Sequence, residues 1–308
     1  MIRFTHTDPL PSGLSGAIIA LGNFDGFHLG HQAVARRAID RAAHEGRPAI
    51  IATFDPHPVR HFRPDAPPFR LTSLDQREEL FAHAGADAML VFGFDAALAG
   101  MSARSYIVDL LVGRLQAAGI VTGDDFTFGK GRDGDVEVLR EVGAAHGLVA
   151  EAIAPVGLAE AKISSSRIRE ALQAGDPATA TRLLTRPFAV KREVVHGDKR
   201  GRELGWPTAN MEMGDYVRPA YGVYATRVRL ADGSEHDAVS NLGVRPMFDP
   251  PRELLETYIF DFEGDLYGQD VEVALHHYLR PEAKFHDMDA LKRQMDADAV
   301  EARRLLGC

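Results

Sequence analysis

Cysteine is almost missing from this chain: 308 residues contain one, Cys308, at the very end. That excludes a disulfide framework and a cysteine-ligated zinc site, and it suits a reducing compartment. No run is apolar for long enough to span a bilayer, and Met1 to Ser12 lacks the apolar core of a secretion signal. The expectation is a cytoplasmic protein that does not engage membranes. Positive charge is not in excess either. The formal net charge of −9 argues against a general nucleic-acid surface, although local basic patches stay open. What is present, 45% hydrophobic and 26% charged residues, is ordinary for a soluble globular protein. The length exceeds what one hydrophobic core usually serves, so two domains are expected.

The richest stretch is Gly22-Asn23-Phe24-Asp25-Gly26-Phe27-His28-Leu29-Gly30-His31-Gln32. Ala17 to Leu21 before it is a short apolar run bounded by glycine, as in an inner strand, and Ala33 to Glu45 after it has helical spacing. The motif therefore sits where a strand turns into a helix. Helix starts attract anions, because their first N–H groups have no partner within the helix and the peptide dipoles leave positive charge there. Gly22, Gly26 and Gly30 let a ligand approach the backbone around Asn23 and Phe24, while His28 and His31, three apart, share one helix face. An isolated H-x-x-H is more often a plain turn; Asn23, Asp25 and three glycines in the same turn favour a phosphate site.

Strands and helices then alternate. Ala49 to Phe54 is a strand, and Asp55-Pro56-His57-Pro58 follows at its carboxyl end, where open α/β sheets place ligands. Arg60 to Arg70 is proline-rich and reads as an excursion. Ser73 to Ala84 and Ala103 to Ala118 read as helices, with strands at Ala88 to Phe92 and Ile120 to Gly123. The pattern predicts a doubly wound parallel sheet. The loop Gly123 to Gly131 holds two decoys. Gly129, Gly131 and Gly134 spell the dinucleotide fingerprint, but its interior is charged; Gly129-Lys130 looks like a P-loop end, but Gly131 stands where its Ser/Thr belongs. Further on, Lys162-Ile163-Ser164-Ser165-Ser166-Arg167-Ile168-Arg169 opens another helix. Serine caps are the plainer reading. Three hydroxyls with Lys162 and two arginines also form an anion cradle, because guanidinium grips phosphate bidentately.

Near Thr185-Arg186-Pro187 the chain changes to period-2 runs with turn signals, so the boundary is set at residues 185 and 186. Strands near 188–196, 222–230, 236–241, 255–262 and 270–279 predict a compact antiparallel barrel. The helix Asp287 to Leu306 aligns Met288, Leu291, Met295, Ala299, Ala302 and Leu306 to pack onto it. Between the first two strands, Gly197, Gly201 and Gly205 are four apart with Lys199 among them, followed by Pro207-Thr208-Ala209-Asn210. A flexible surface loop is one reading. The other is a phosphate-binding loop, with Thr208 and Asn210 as hard oxygen ligands for magnesium. Glu256 shares a strand face with Tyr258, Phe260 and Phe262, where apolar neighbours would raise its pKa toward that of a useful base.

With these residues in view, the first half resembles the adenylyltransferase half of bacterial bifunctional riboflavin kinase/FAD synthetases. More broadly it looks like the nucleotidyltransferase superfamily with its H-x-G-H signature, whose middle positions here are Leu29 and Gly30. The resemblance implies that His28 and His31 bind and stabilise the ATP phosphates, that Ser165, Ser166 and Arg169 belong to a second signature, and that Asp55 and Asp125 lie on flavin or nucleotide loops. The family usually carries Asn at position 125 and Thr at 166. The second half resembles the riboflavin kinase domain, with Thr208 and Asn210 binding magnesium-ATP and Glu256 taking the proton from the ribityl hydroxyl. Arg280 and Phe285 match its flavin-proximal segment, and Met247 replaces its usual Thr. The implied activity is phosphorylation of riboflavin to FMN by residues 186–308. Residues 1–185 would then adenylylate FMN to FAD, releasing pyrophosphate. A nucleotidyltransferase with another acceptor, or a flavin-binding regulator, is the alternative. Intact His28, His31, Thr208, Asn210 and Glu256 weigh against the regulator.

Overall fold

The computed structural model describes residues 1–158, 161–196, 206–245 and 252–308. They form two compact units, Met1–Ala66 with Leu74–Ile163, and Pro67–Ser73 with Ser164–Cys308.

Six parallel strands build the first unit: β1 (Ile2–Thr5), β2 (Ile18–Leu21), β3 (Ala49–Phe54), β4 (Ala88–Phe92), β5 (Gly119–Gly123) and β6 (Val149–Ile153). Their order is β1-β4-β3-β2-β5-β6, so the winding reverses between β2 and β5. Sheets of this kind bind ligands at that reversal, beyond the strands' carboxyl ends. Ile19, Leu21, Ile50, Ala52 and Leu90 face one core, and Ile18, Ala20, Ile51, Met89 and Val121 face the other. Burial of both faces is why the inner strands read as unbroken apolar runs. Around the sheet lie α1 (Leu29–Glu45), α2 (Pro58–Phe62), α3 (Leu74–Ala84), α4 (Ala96–Gly100), α5 (Ala103–Ser105) and α6 (Val136–Ala144). A π-helical segment, Tyr106–Arg114, continues α5. A small hairpin, β7 (Gly157–Leu158) with β8 (Ala161–Lys162), precedes the second unit.

The edge strands β1 and β6 go beyond the sequence expectation. Both carry charge that masks them: Arg3 in β1 pairs with Asp75 and Glu78, and Glu151 in β6 pairs with Arg37 and Arg41. Charged edges are how sheets avoid pairing with other chains. The glycine decoy resolves as a closed loop. Phe128 and Gly134 exchange both backbone hydrogen bonds, and a Cβ on Gly134 would lie 2.7 Å from the Ala103 side chain.

The second unit contains α7 (Ser165–Gln173), α8 (Pro177–Leu184) and six antiparallel strands: β9 (Phe188–Glu193), β10 (Ala209–Glu212), β11 (Gly222–Arg229), β12 (Glu235–Arg245), β13 (Arg252–Ile259) and β14 (Asp270–Arg280). They run in the order β10-β13-β12-β11-β14-β9. After β9, the Val195 N–H donates to the Asn210 carbonyl at 2.8 Å, so the sheet nearly closes into a barrel. Residues 67–73 join this unit through backbone bonds between Arg70 and the segment at Asp215 and Val217. The terminal helix α9 (Met288–Leu306) packs on β11, β12 and β14 along the expected stripe, with Ala299 and Ala302 in one cluster with Trp206, Val223 and Phe260. Ala302 has no exposed surface. Ala302→Leu should therefore overpack this contact and lower stability by about 1–3 kcal/mol. Urea unfolding followed through Trp206, the sole tryptophan, reads this locally; an unchanged midpoint would contradict the packing.

Candidate active sites

In the first unit β2 ends at Leu21 and its carbonyls are taken up on both sides. Thr122 Oγ1, from β5, donates to the Leu21 carbonyl at 3.1 Å, and Thr53 Oγ1, from β3, donates to the Asn23 carbonyl at 2.6 Å. Phe24 and Phe27 adopt positive φ, 48° and 42°, and both are buried. Non-glycine residues rarely hold that conformation, and here two rings lock it edge-on against Phe81, at 5.9 and 5.0 Å. Phe24 also meets the His31 ring at 5.2 Å. Its side chain is thus the floor under the histidines, and only its backbone faces a ligand role.

The helix starts one residue after His28. His28 is its N-cap, and its Nδ1 accepts the His31 N–H at 3.3 Å. An accepting Nδ1 puts the ring proton on Nε2, so the cap also sets the tautomer that donates from the far side of the ring. The two imidazoles stack, with centroids 3.6 Å apart and planes 16° from parallel. Gly30 makes room for this: a Cβ there would sit 3.2 Å from the His28 ring. Asn23 is exposed at the turn, and Asp25 is buried within it.

Beyond β3, His57 caps α2, its Nδ1 accepting the Val59 N–H, while Asp55 is half-buried beside it. An aromatic shelf that the sequence reading missed adjoins Asp55. Phe54 stacks on Phe92 at 5.2 Å and meets Phe94 at 6.0 Å, while Phe62 packs on Phe94 at 5.8 Å. Phe62 remains 67% exposed, unusual for so large an apolar ring. After β5, the Asp125 carboxylate pairs with Lys162 of β8. That pairing offsets the carboxylate's charge. Ser164 caps α7 by accepting the Arg167 N–H, which places Ser165 and Ser166 in its first turn. Arg169 Nε donates to the Phe69 carbonyl at 2.6 Å, and its guanidinium lies over the Phe69 ring. These α7 residues belong to the second unit.

The barrel holds a cavity of about 420 Å³ between its sheet and α9, a size typical of small-molecule sites. Strand register builds its polar wall. Asn210 lies opposite Glu256, Glu256 opposite Asn241, Asn241 opposite Val223, and Val223 opposite Arg280. Directly opposed residues share a sheet face, so five strands contribute to one row. Asn241 enters the site only through this register. Asn210 is buried, and its Nδ2 donates to the Thr208 carbonyl at 3.2 Å, which turns Oδ1 the other way as a hard acceptor. With the half-buried Thr208, that donor set fits a magnesium ion, which binds oxygen through few protein ligands and completes its shell with water and phosphate. Arg280 is held as a fork by Asp298 of α9, at 2.9 and 2.6 Å, and its charge lies 5.8 Å from the Phe285 ring centre. Trp206 and Tyr258 line the same cavity, their rings 4.3 Å apart. The period-2 face of Glu256 continues to Tyr258, while Phe260 and Phe262 fall past the end of β13. Gly197, Lys199, Gly201, Gly205 and Met247 lie outside the described residues.

The histidine turn of the first unit and the barrel cavity of the second set the terms for comparison with known proteins. Residues 11–167 match the FAD synthetase family and residues 184–306 match the riboflavin kinase family. The chain belongs to the bifunctional riboflavin kinase/FMN adenylyltransferase family. Curated members include the Escherichia coli K12 protein, 36% identical over 95% of this chain and 93% of its own length. The Pseudomonas fluorescens member is 38% identical over 94% and 93%, and the Haemophilus influenzae member 37% over 94% of each. A solved structure from Streptococcus pneumoniae, described as a macrolide-efflux protein, shares the fold with a TM-score of 0.86. It is 30% identical and covers 98% of this chain and 99% of its own. That description belongs to that protein; among the described residues here, no helix is long and apolar enough to cross a membrane. As a family member, the chain pairs an adenylyltransferase half with a kinase half, uses ATP, and works on riboflavin, FMN and FAD. Gly30→Ala should disturb the histidine stack and slow FAD formation roughly ten-fold, with FMN formation unchanged. Flavin chromatography of the products measures both, and an unaltered FAD rate would contradict the need for that close approach.

Proposed function

We propose that residues 1–185 adenylylate FMN at the histidine turn and that residues 186–308 phosphorylate riboflavin in the barrel cavity. What carries the reading is the contrast between the two sites. At the first, stacked His28 and His31 stand at a helix start; at the second, Glu256 lines a cavity of ligand size.

The two reactions differ in what they need. An FMN phosphate oxygen is ionised at neutral pH, so it attacks the α-phosphorus of ATP without a general base. The bond to the β-phosphate breaks and pyrophosphate leaves. His28 and His31, with the backbone of Gly22, Asn23, Phe24 and Gly30, hold the phosphates and offset the charge that builds on them. Ser165, Ser166 and Arg169 take phosphate as well. Asp55 and Asp125 orient the flavin substrate, whose flat ring lies against the shelf of Phe54, Phe94 and Phe62. Riboflavin presents a protonated primary alcohol, so its phosphorylation does call for a base. Glu256 accepts that proton while the alcohol oxygen attacks the γ-phosphorus of ATP, the bond to the bridging oxygen breaks and ADP leaves. Asn241 sits beside Glu256, and Arg280 and Phe285 bound the flavin end. Thr208 and Asn210 hold magnesium, which neutralises phosphate charge when bound. Gly197, Lys199, Gly201 and Gly205 complete the ATP site of this half. The setting is cytoplasmic, and neither nucleic acid nor membrane is a partner.

Incubation with riboflavin, ATP and magnesium tests the reading, with flavins resolved chromatographically. His28→Ala should lower FAD formation at least about a hundred-fold while FMN accumulates; parallel loss of both activities speaks against separate sites. Glu256→Gln should lower riboflavin phosphorylation about a hundred-fold or more and leave supplied FMN convertible to FAD. A normal kinase rate in that variant removes Glu256 from the mechanism.

A further inference from the structure

Arg77 of α3 is the largest fully buried side chain among the described residues, 1% exposed, on a helix that would ordinarily turn an arginine to solvent. Its Nη1 donates to Thr53 Oγ1 at 2.7 Å and to the carbonyls of Asn23 and Phe54 at 3.4 Å. Thr53 is itself fully buried and passes its one hydroxyl proton to the Asn23 carbonyl. The result is a directional chain, guanidinium to hydroxyl to carbonyl, in which each bond strengthens the next. It joins the two segments that bear the first site. Asn23 opens the turn that carries His28 and His31, and Phe54 directly precedes Asp55 and forms the aromatic shelf.

We infer that Arg77 and Thr53 are positioning residues for adenylyl transfer, fixing the ATP turn to the flavin loop from beneath without touching either substrate. The buried charge also lies behind the turn, where low dielectric and little salt screening let it favour polyphosphate on the other side. This rests on the reading of the histidine turn as the ATP site.

The hydroxyl separates positioning from packing. Thr53→Val keeps the shape and removes both hydrogen bonds; Thr53→Ser keeps the bonds and removes a methyl group. The relay predicts that Thr53→Val lowers kcat for FAD formation roughly 10- to 100-fold, and that Thr53→Ser stays within about two-fold of the parent. Riboflavin phosphorylation, measured in the same samples, should hold its rate, which confines the loss to the first unit, and unchanged amide-exchange protection of β2 and β3 reports that this unit is folded in each variant. Full FAD activity in Thr53→Val, equal losses in Thr53→Val and Thr53→Ser, or loss of kinase activity alongside would each overturn the assignment. His28→Ala, run in parallel, isolates the underlying reading: if it retains FAD formation the ATP site is misplaced, whereas its loss beside an active Thr53→Val rejects the relay alone.

Discussion

A backbone that presents N–H groups to phosphate must first dispose of its own carbonyls. At the end of β2 this is done one group at a time. The Leu21 carbonyl goes to Thr122, Asn23 to Thr53 and Arg77, Phe24 to the Phe27 N–H, and Phe27 to the Gln32 side chain. With these acceptors occupied, the positive end of α1 is left unopposed, and His28, whose Nδ1 accepts the His31 N–H, holds its ring proton on Nε2. The two strained residues, Phe24 and Phe27, are tolerated because their rings are buried against Phe81. The histidine turn is therefore a product of the core beneath it.

The barrel meets a different demand. Its polar wall is assembled from strands distant in sequence, and the shared sheet face sets Glu256 between two asparagines while Tyr258 and Trp206 provide the apolar enclosure. The Arg280 and Asp298 pair closes one side by tying β14 to α9. Such a pair, mostly withdrawn from water, is costly to break, since the partner left behind would be an uncompensated charge. Attachment of α9 through Ala299 and Ala302 is thus also definition of the cavity, because Met288, Leu291 and Met295 of the same helix line it.

Much of this was legible from the residues alone. The inner parallel strands, α1, the barrel's longer strands and the stripe of α9 announce themselves by apolar period, and the two motif sets single out the histidine turn and the strand that carries Glu256. Edge strands β1 and β6 escaped because Arg3 and Glu151 break their apolar pattern, and β10 because it has four residues. Arg77 escaped for a deeper reason: an arginine among the charges of α3 looks solvated until the fold shows Thr53 above it. Asn241 was visible but carried no signal, since only the pairing of β12 with β13 brings it to Glu256. Of the proline-rich stretch Arg60 to Arg70, read as an excursion, the end from Pro67 belongs with Leu71 to Ser73 to the second unit, to which Arg70 is bonded. Pattern reveals periodic burial; it does not reveal register or a buried cation.

The central claim is that ATP's phosphates are held at the first turn of α1, apart from the barrel's own nucleotide. Crystals grown with a non-hydrolysable ATP analogue test it directly. The account predicts phosphate density within about 3 Å of a ring nitrogen of both His28 and His31. Nucleotide density confined to the barrel, with those two rings contacting protein alone, would contradict it.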